Sequence, residues 1–312
     1  MAHARTSAIE FGRVAVLMGG RSAEREISLM SGETVLAALI NNGVDAHKLD
    51  VDFDVAEQLR AGKYERAFVM LHGRGGEDGQ IQGLLQSMNI SFTGSDVTGA
   101  VLSMNKIVSK EAWMQQNLPT AAFERVTPKS NSNEVIGRLG LPLIIKPVNE
   151  GSSIGMTKVN SADELVAAIE LASQFDAEVM AERWIEGAEY TVAILGQTAL
   201  PMIRLKTPNV FYDYEAKYKS NTTEYLCPCG LSEQEERYCQ QLAIKAFNGL
   251  RMNGWGRVDI MQDKDGEFYL LEANSVPGMT DHSLVPMAAK QFGLSFDELV
   301  WKILDTSMVV DQ

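Results

Sequence analysis

The first hundred residues alternate short apolar runs with stretches of helical period. Arg13–Met18 reads as a buried strand ending at Gly19-Gly20, and Ser28–Asn41 as a helix that stops before Gly43. Ala46–Val51 and Ala67–Leu71 read as further strands. Strands separated by helices predict a parallel sheet with right-handed crossovers, and ligands of such sheets sit beyond the carboxyl ends of the strands. Two polar loops fall there, Gly19-Gly-Arg-Ser-Ala-Glu-Arg25 and His72-Gly-Arg-Gly-Gly-Glu-Asp-Gly79. The stretch before them, Met1 to Gly12, reads as a short loose leader.

The pattern changes near Val101. Met104–Gln116 has helical period and ends before Pro119. Leu143–Pro147 and Met156–Val159 are short strands around the loop Asn149-Glu-Gly-Ser-Ser-Ile-Gly155. Ser161 with Glu164 has the capping-box spacing for a helix to about Ala172, and Glu178–Arg183 is the next strand. This unit reads as α+β with an antiparallel sheet. From Gly187 on, Tyr190–Leu195 and Pro201–Leu205 form an expected strand pair turned at Gly196. Glu233–Leu250 is an amphipathic helix, Gly256–Leu271 a hairpin turning at Asp263-Lys-Asp-Gly266, and two helices close the chain. Thr207 to Glu224 has weak periodicity and four aromatic residues, a length that in a compact enzyme marks a lid or binding loop. The expected units are therefore 1–100, 101–186 and 187–312, the last with a lid over 207–224 and a hairpin over 256–274.

Composition narrows what this fold serves. The 312 residues are too many for one ordinary core, and 45% hydrophobic content supplies material for several. Twenty-eight basic against 41 acidic residues give a net charge of −13, which disfavours nucleic acid and anionic membrane surfaces as partners. No apolar run approaches the roughly 18 residues of a membrane span, and the N-terminus lacks the apolar core of a signal peptide. The expectation is a cytoplasmic protein. Three cysteines, Cys227, Cys229 and Cys239, form neither a disulfide framework nor a zinc spacing and read as reduced thiols.

The hairpin is where the polar pattern becomes chemical. Side chains alternate along a strand, so Arg257 and Asp259 share one face, as do Glu272 and Asn274. A four-residue turn at Asp263–Gly266 would pair Asp259 with Leu270 and Arg257 with Glu272, and all four polar groups would converge. Val258, Ile260, Leu271 and Ala273 would then take the apolar face; an odd-length turn would break the arrangement. Two carboxylates and an amide oxygen suit Mg²⁺ bound together with phosphates better than zinc. Alternation alone leaves a salt-bridged, solvated sheet face as the alternative.

Several motifs in order remove that ambiguity. They are Gly19-Gly-Arg-Ser-Ala-Glu-Arg-Glu26, Leu71-His-Gly-Arg-Gly-Gly-Glu-Asp-Gly79, Ile145-Lys-Pro147 with Glu150-Gly-Ser-Ser153, Tyr212-Asp-Tyr-Glu-Ala-Lys-Tyr218, Gly254-Trp-Gly-Arg257, and Leu271-Glu-Ala-Asn274 with Pro277-Gly-Met-Thr280. From about Val14 to Leu304 the chain resembles the ATP-grasp ligases, and within them the D-alanine–D-alanine ligases. The resemblance implies an N-terminal doubly wound parallel-sheet (pre-ATP-grasp) α/β domain, followed by a two-lobed ATP-grasp fold of α+β type. It implies ATP as substrate, two Mg²⁺ (or Mn²⁺) ions on Asp259, Glu272 and Asn274, D-alanine as the amino acid joined, and a homodimer. Lys106 and Lys146 match the family's phosphate-binding lysines, with Ser153 in the loop above them. Glu182, Arg183, Trp184 and Ile185 match the segment around adenine, and Glu189 the ribose position. Glu24 would hold the ammonium of the first D-alanine with His72 close by, and Ser283 and Leu284 the carboxylate of the second. Arg257 and the Gly278 N–H would stabilise the oxyanion. Lys217 would reach the γ-phosphate from the lid, and Ser152 and Tyr218 would bond with Glu24 as the lid closes. Members that make an ester with D-lactate tend to lose the tyrosine at Tyr218, so its presence points to the dipeptide. Another carboxylate–amine or D-hydroxy-acid ligase and a non-catalytic nucleotide-binding protein are the competing readings. A dinucleotide oxidoreductase lacks its G-x-G-x-x-G here, and no Walker A sequence is present.

Overall fold

A parallel strand at the centre of a sheet is covered on both faces, and β1 (Val14–Gly19) is buried at all six positions. The computed structural model describes residues 6–207 and 223–308. In it β1 lies between β2 (Ala46–Val51) and β3 (Arg66–Val69), with β4 (Ser91–Phe92) outside β3, all parallel. Helices α1 (Arg25–Asn41), α2 (Val55–Gly62) and α3 (Gln80–Ser87) connect them in turn. The parallel sheet is the expected one. Helices α2 and α3 were not legible in the sequence, being eight residues each, shorter than a window that shows helical period.

The middle unit corrects one helix boundary. Instead of one helix over Met104–Gln116 there are two, α4 (Val97–Met104) and α5 (Lys106–Gln115). Asn105 between them is extended (φ −84°, ψ 104°), and its side chain accepts the Val108 N–H at 3.0 Å. That cap starts a new helix and places Lys106 at its first position. A four-stranded antiparallel sheet follows, β5 (Phe123–Val126), β8 (Val179–Arg183), β6 (Leu143–Pro147) and β7 (Thr157–Val159) in spatial order. It is covered by α6 (Ser132–Leu139) and α7 (Ala162–Ala172). The expected capping box of α7 does not form. Ser161 makes no side-chain cap bond, and Glu164 accepts the Asn160 N–H at 2.8 Å instead.

The third sheet runs β12 (Glu224–Leu226), β11 (Ile203–Lys206), β9 (Gly187–Leu195), β13 (Trp255–Asp263), β14 (Phe268–Asn274), with β10 (Thr198–Ala199) folded back on β9 around Gly196. Helix α8 (Glu233–Gly249) covers its apolar face, with a capping box between Ser232 and Glu235. Cys229 and Cys239 are buried in this core as free thiols, and burial pushes the Cys239 thiol up to about 12.

The closing helices α9 (Leu284–Gln291) and α10 (Phe296–Thr306) return to the first sheet, and Leu299, Val300, Ile303 and Leu304 share its core with Val14, Leu17 and Phe68. The N-terminal stretch is correspondingly less loose than expected from Thr6 onward. Phe11 is buried edge-on against Trp301 at 5.0 Å, and the buried Arg66 guanidinium donates to Ser307 Oγ at 2.9 Å. Among the described residues no helix is long and apolar enough to cross a membrane. These returns bring loops from all three sheets together: 72–79, 149–155 and 275–280.

Candidate active site

The hairpin register differs from expectation, and the difference has a physical cause. The turn is odd: Gln262 faces Phe268, and Asp263 N–H bonds to the Glu267 carbonyl at 2.9 Å. Alone, that would put Glu272 and Asn274 on the wrong face. A β-bulge between Asp259/Ile260 on β13 and Leu270–Glu272 on β14 absorbs one residue. Asp259 therefore pairs with Glu272, and Arg257 with Asn274, rather than with Leu270 and Glu272. The four polar groups still converge. The bulge also moves Leu271 out of the apolar face: Leu270 takes the core position beside Val258, Ile260 and Ala273, while Leu271 faces a cavity. On the polar face Asp259 is buried and accepts from Arg257 Nε (2.8 Å), from its terminal nitrogen (2.7 Å), from Asn274 Nδ2 (3.0 Å) and from Thr191 Oγ1 (2.5 Å).

The cavity, about 440 Å³, lies between the second and third sheets. Lys106, Lys146, Ser153, Glu182, Arg183, Trp184, Ile185, Glu189 and Glu272 all line it. Two sheets explain the convergence: from the second, β6 delivers Lys146 and β8 delivers Glu182 and Arg183, and from the third, β9 delivers Glu189. Glu182 is buried between two ammonium groups, those of Lys110 and Lys146. Burial opposes its charge, but the two lysines outweigh burial and hold Glu182 below the usual carboxylate range. The amide N–H groups of Arg183 and Trp184 are already used, donating to Ala122 and Pro142 carbonyls at 2.8 and 3.0 Å. Lys158 Nζ lies 4.3 Å above the Trp184 ring.

On the other side of the hairpin, Glu24 precedes α1 and is buried, accepting a short hydrogen bond from Ser152 Oγ. Methyl groups on Gly73 or Gly151 would lie 2.7 and 2.9 Å from Glu24 Oε2, so both loops need glycine to close on this carboxylate. His72 donates from Nδ1 to the Val276 carbonyl at 2.8 Å, and burial pulls it below the ordinary histidine range. Glu77 accepts the N–H groups of Gly73 (2.8 Å) and Val276 (3.0 Å); burial, then the Glu24 charge, push it up to about 7. Thr34 and Ser31 of α1 hold Met279 by its carbonyl (2.7 Å) and N–H (3.2 Å), which fixes Gly278 beside Ser283 at the start of α9. Lys217 and Tyr218 lie outside the described residues.

One cavity lined by lysines, an acidic hairpin and a buried Glu24–Ser152 pair thus adjoin one another. Family models described as "D-ala D-ala ligase C-terminus" and "D-ala D-ala ligase N-terminus" match residues 112–305 and 46–95. The chain belongs to the D-alanine–D-alanine ligase family. A D-alanine–D-alanine ligase of Nitrosococcus oceani is 56% identical over 298 residues, 96% of this chain and 94% of that one. The crystal structure of the Bacillus anthracis D-alanine–D-alanine ligase superposes with a TM-score of 0.86 at 32% identity, covering 95% of this chain and 97% of that one. The same Bacillus anthracis ligase complexed with ATP gives 0.84 at 29% identity, with the same coverage.

For a ligase of this family the donor set fits a hard cation. Among the described residues no cluster of three or more His, Cys, Asp or Glu could hold a metal alone. Two carboxylates and an amide beside a cation-lined cavity therefore suit an ion that takes further oxygens from phosphate. Sequence reasoning missed Lys110, Thr191, Glu77 and Arg74. Lys110 had a readable signal, since it lies one helical turn after Lys106. Thr191 had none, because only the register of β9 against β13 sets it opposite Asp259.

Proposed function

We propose that the chain joins two D-alanines into D-alanyl-D-alanine, consuming ATP, and so supplies a peptidoglycan precursor. The observation that carries this reading is the contiguity of the lysine-lined cavity with the Glu24–Ser152–His72 cluster across the Arg257–Asp259 hairpin. A carboxylate oxygen of the first D-alanine attacks the γ-phosphorus, the bond to ADP breaks, and D-alanyl phosphate forms. The amine of the second D-alanine then attacks the carbonyl carbon, loses a proton, and expels phosphate.

Each residue has a place in that sequence. Lys106 and Lys146 neutralise phosphate oxygens, with Ser153 above them and Lys217 reaching the γ-phosphate. Glu182, Arg183, Trp184 and Ile185 shape the adenine slot, and Glu189 takes the ribose. Because the Arg183 and Trp184 amides are engaged, those two residues meet adenine through side chains and carbonyls. Glu24 holds the first ammonium, aided by Ser152 and Tyr218. Arg257 and the Gly278 N–H meet the oxyanion, and Ser283 with Leu284 takes the second carboxylate at a helix N-terminus. Asp259, Glu272 and Asn274 would hold Mg²⁺ (or Mn²⁺), which supplies charge neutralisation at the phosphates. For Asp259 to do so, Arg257 releases at least one of its oxygens, which frees the guanidinium toward the substrate. The division into 1–100, 101–186 and 187–312 is supported by the three sheets, each of which keeps within one unit. A cytoplasmic homodimer completes the proposal.

Phosphate release with Mg-ATP tests it. Release that depends on D-alanine and not on L-alanine is expected; equal release with both sinks the assignment. Turnover with a D-hydroxy acid exceeding that with D-alanine would instead favour the ester-forming alternative.

A further inference from the structure

The loop Asn149–Gly155 is held at several points. Lys106 Nζ donates to the Glu150 carbonyl at 2.6 Å, and the backbone and side-chain nitrogens of Asn149 donate to Asp176 Oδ2 at 2.6 and 2.9 Å. These ties come from its own unit. Two others come from the N-terminal unit. One is Ser152 on Glu24. The other is Arg74, whose Nε pairs with Glu150 Oε1 at 2.6 Å while a terminal nitrogen lies 3.5 Å from Asp176 Oδ1 and donates to the Phe175 carbonyl at 3.1 Å.

Arg74 sits on the same loop as His72 and Glu77, both bonded to Val276 on the way to Gly278. This one loop therefore touches the glycine-rich loop on one side and the oxyanion loop on the other. The electrostatics give Arg74 a specific task. Glu150 lines the nucleotide cavity and Asp176 stands next to it. Burial and then Asp176 raise the Glu150 carboxyl, and Arg74 opposes both. Lys106 also favours the Glu150 charge, but Arg74 is the cation paired with both carboxylates, and without it Glu150 and Asp176 would repel each other and a triphosphate more strongly.

We infer that Arg74 is a positioning residue: from the N-terminal unit it neutralises Glu150 and Asp176 and so holds the glycine-rich loop closed over the nucleotide phosphates. Resting on the ligase reading, this couples the D-alanine side of the site to the phosphate side through a single loop. A charge tie of this kind has a signature that mere packing lacks, because removing the orphaned anion repairs the damage.

The test compares Arg74→Met, Arg74→Lys, Glu150→Gln and the double variant Arg74→Met/Glu150→Gln. It reads KM for ATP, kcat, and directly the Kd for Mg-ADP by calorimetry. Arg74→Met is expected to raise KM for ATP and Kd for Mg-ADP ~10-fold with kcat changed less than about threefold, and Glu150→Gln in that background to recover most of the loss. Arg74→Lys keeps the charge but not the fork, and falls between. A Kd for Mg-ADP within about twofold of the parent in Arg74→Met, or losses that simply add in the double variant, overturns the inference. The calorimetric arm does not depend on turnover. Absence of D-alanine-dependent phosphate release in the unaltered protein would therefore count against the ligase reading and leave the Arg74 result to stand or fall separately.

Discussion

Asp259 and Arg257 hold each other in a fork of two hydrogen bonds, while Asn274 and Thr191 supply two more to the same carboxylate. Removing Arg257 therefore leaves Asp259 with neutral partners and takes away the cation proposed for the oxyanion. Arg257→Ala is expected to lower kcat by ~10²- to 10³-fold while Mg-ATP still binds, read by steady-state kinetics beside nucleotide titration. Near-normal turnover would remove Arg257 from the oxyanion role. Glu182 presents the buried counterpart. It is shared by Lys110 and Lys146, all three almost wholly enclosed, so cutting Lys110 to Met strands half of a buried charge. A loss of ~3 kcal/mol in urea unfolding is expected for Lys110→Met, with Lys110→Met/Glu182→Gln costing more than the single change, because it leaves the buried Lys146 ammonium without this carboxylate. An unchanged midpoint for Lys110→Met would mean that Lys146 alone satisfies Glu182.

At the scale of elements, local pattern carried a good deal. β2 and β6 stand where their apolar runs put them, and two helices close the chain as expected. The hairpin was legible as a hairpin but not in its register. A bulge is a single extra residue whose cost and benefit depend on the neighbouring strand, and nothing in Leu270-Leu271-Glu272 announces it. The same limit applies to Asn105, where a side-chain cap divides what period alone reads as one helix. The glycine-rich loop gives an element-level test. Gly151→Ala places a methyl 2.9 Å from Glu24 Oε2 in a loop that crosses between units. The Glu24 carboxylate must turn away, so KM for D-alanine is expected to rise ~10-fold, with stability held within about 0.5 kcal/mol. A KM unchanged in Gly151→Ala would show that Glu24 does not carry the first ammonium.

For the molecule as a whole, the site belongs to no single sheet. Its proposed nucleotide side is the cavity between the second and third sheets, and its proposed substrate side lies between the first sheet's loops and the hairpin. A ligand bridging such parts stabilises all of them. Mg-ATP at 100 times its Kd is expected to raise the unfolding free energy by ~2.7 kcal/mol, seen as a shift in melting temperature that shrinks when the metal is chelated. A melting temperature indifferent to Mg-ATP would put the nucleotide elsewhere. The sequence by itself determined the parallel and antiparallel units, the order of the motifs and the family resemblance they carry, because hydrophobic period and loop chemistry are local. It also determined that Asp259, Glu272 and Asn274 are the right kinds of atom for a hard cation. Only the tertiary structure decided which residues face one another. The bulge set Asp259 opposite Glu272, the β9–β13 register brought Thr191 to the same carboxylate, and Arg74 met Glu150 across two units. Those contacts depend on register and on packing between distant segments, and neither has a period in the chain.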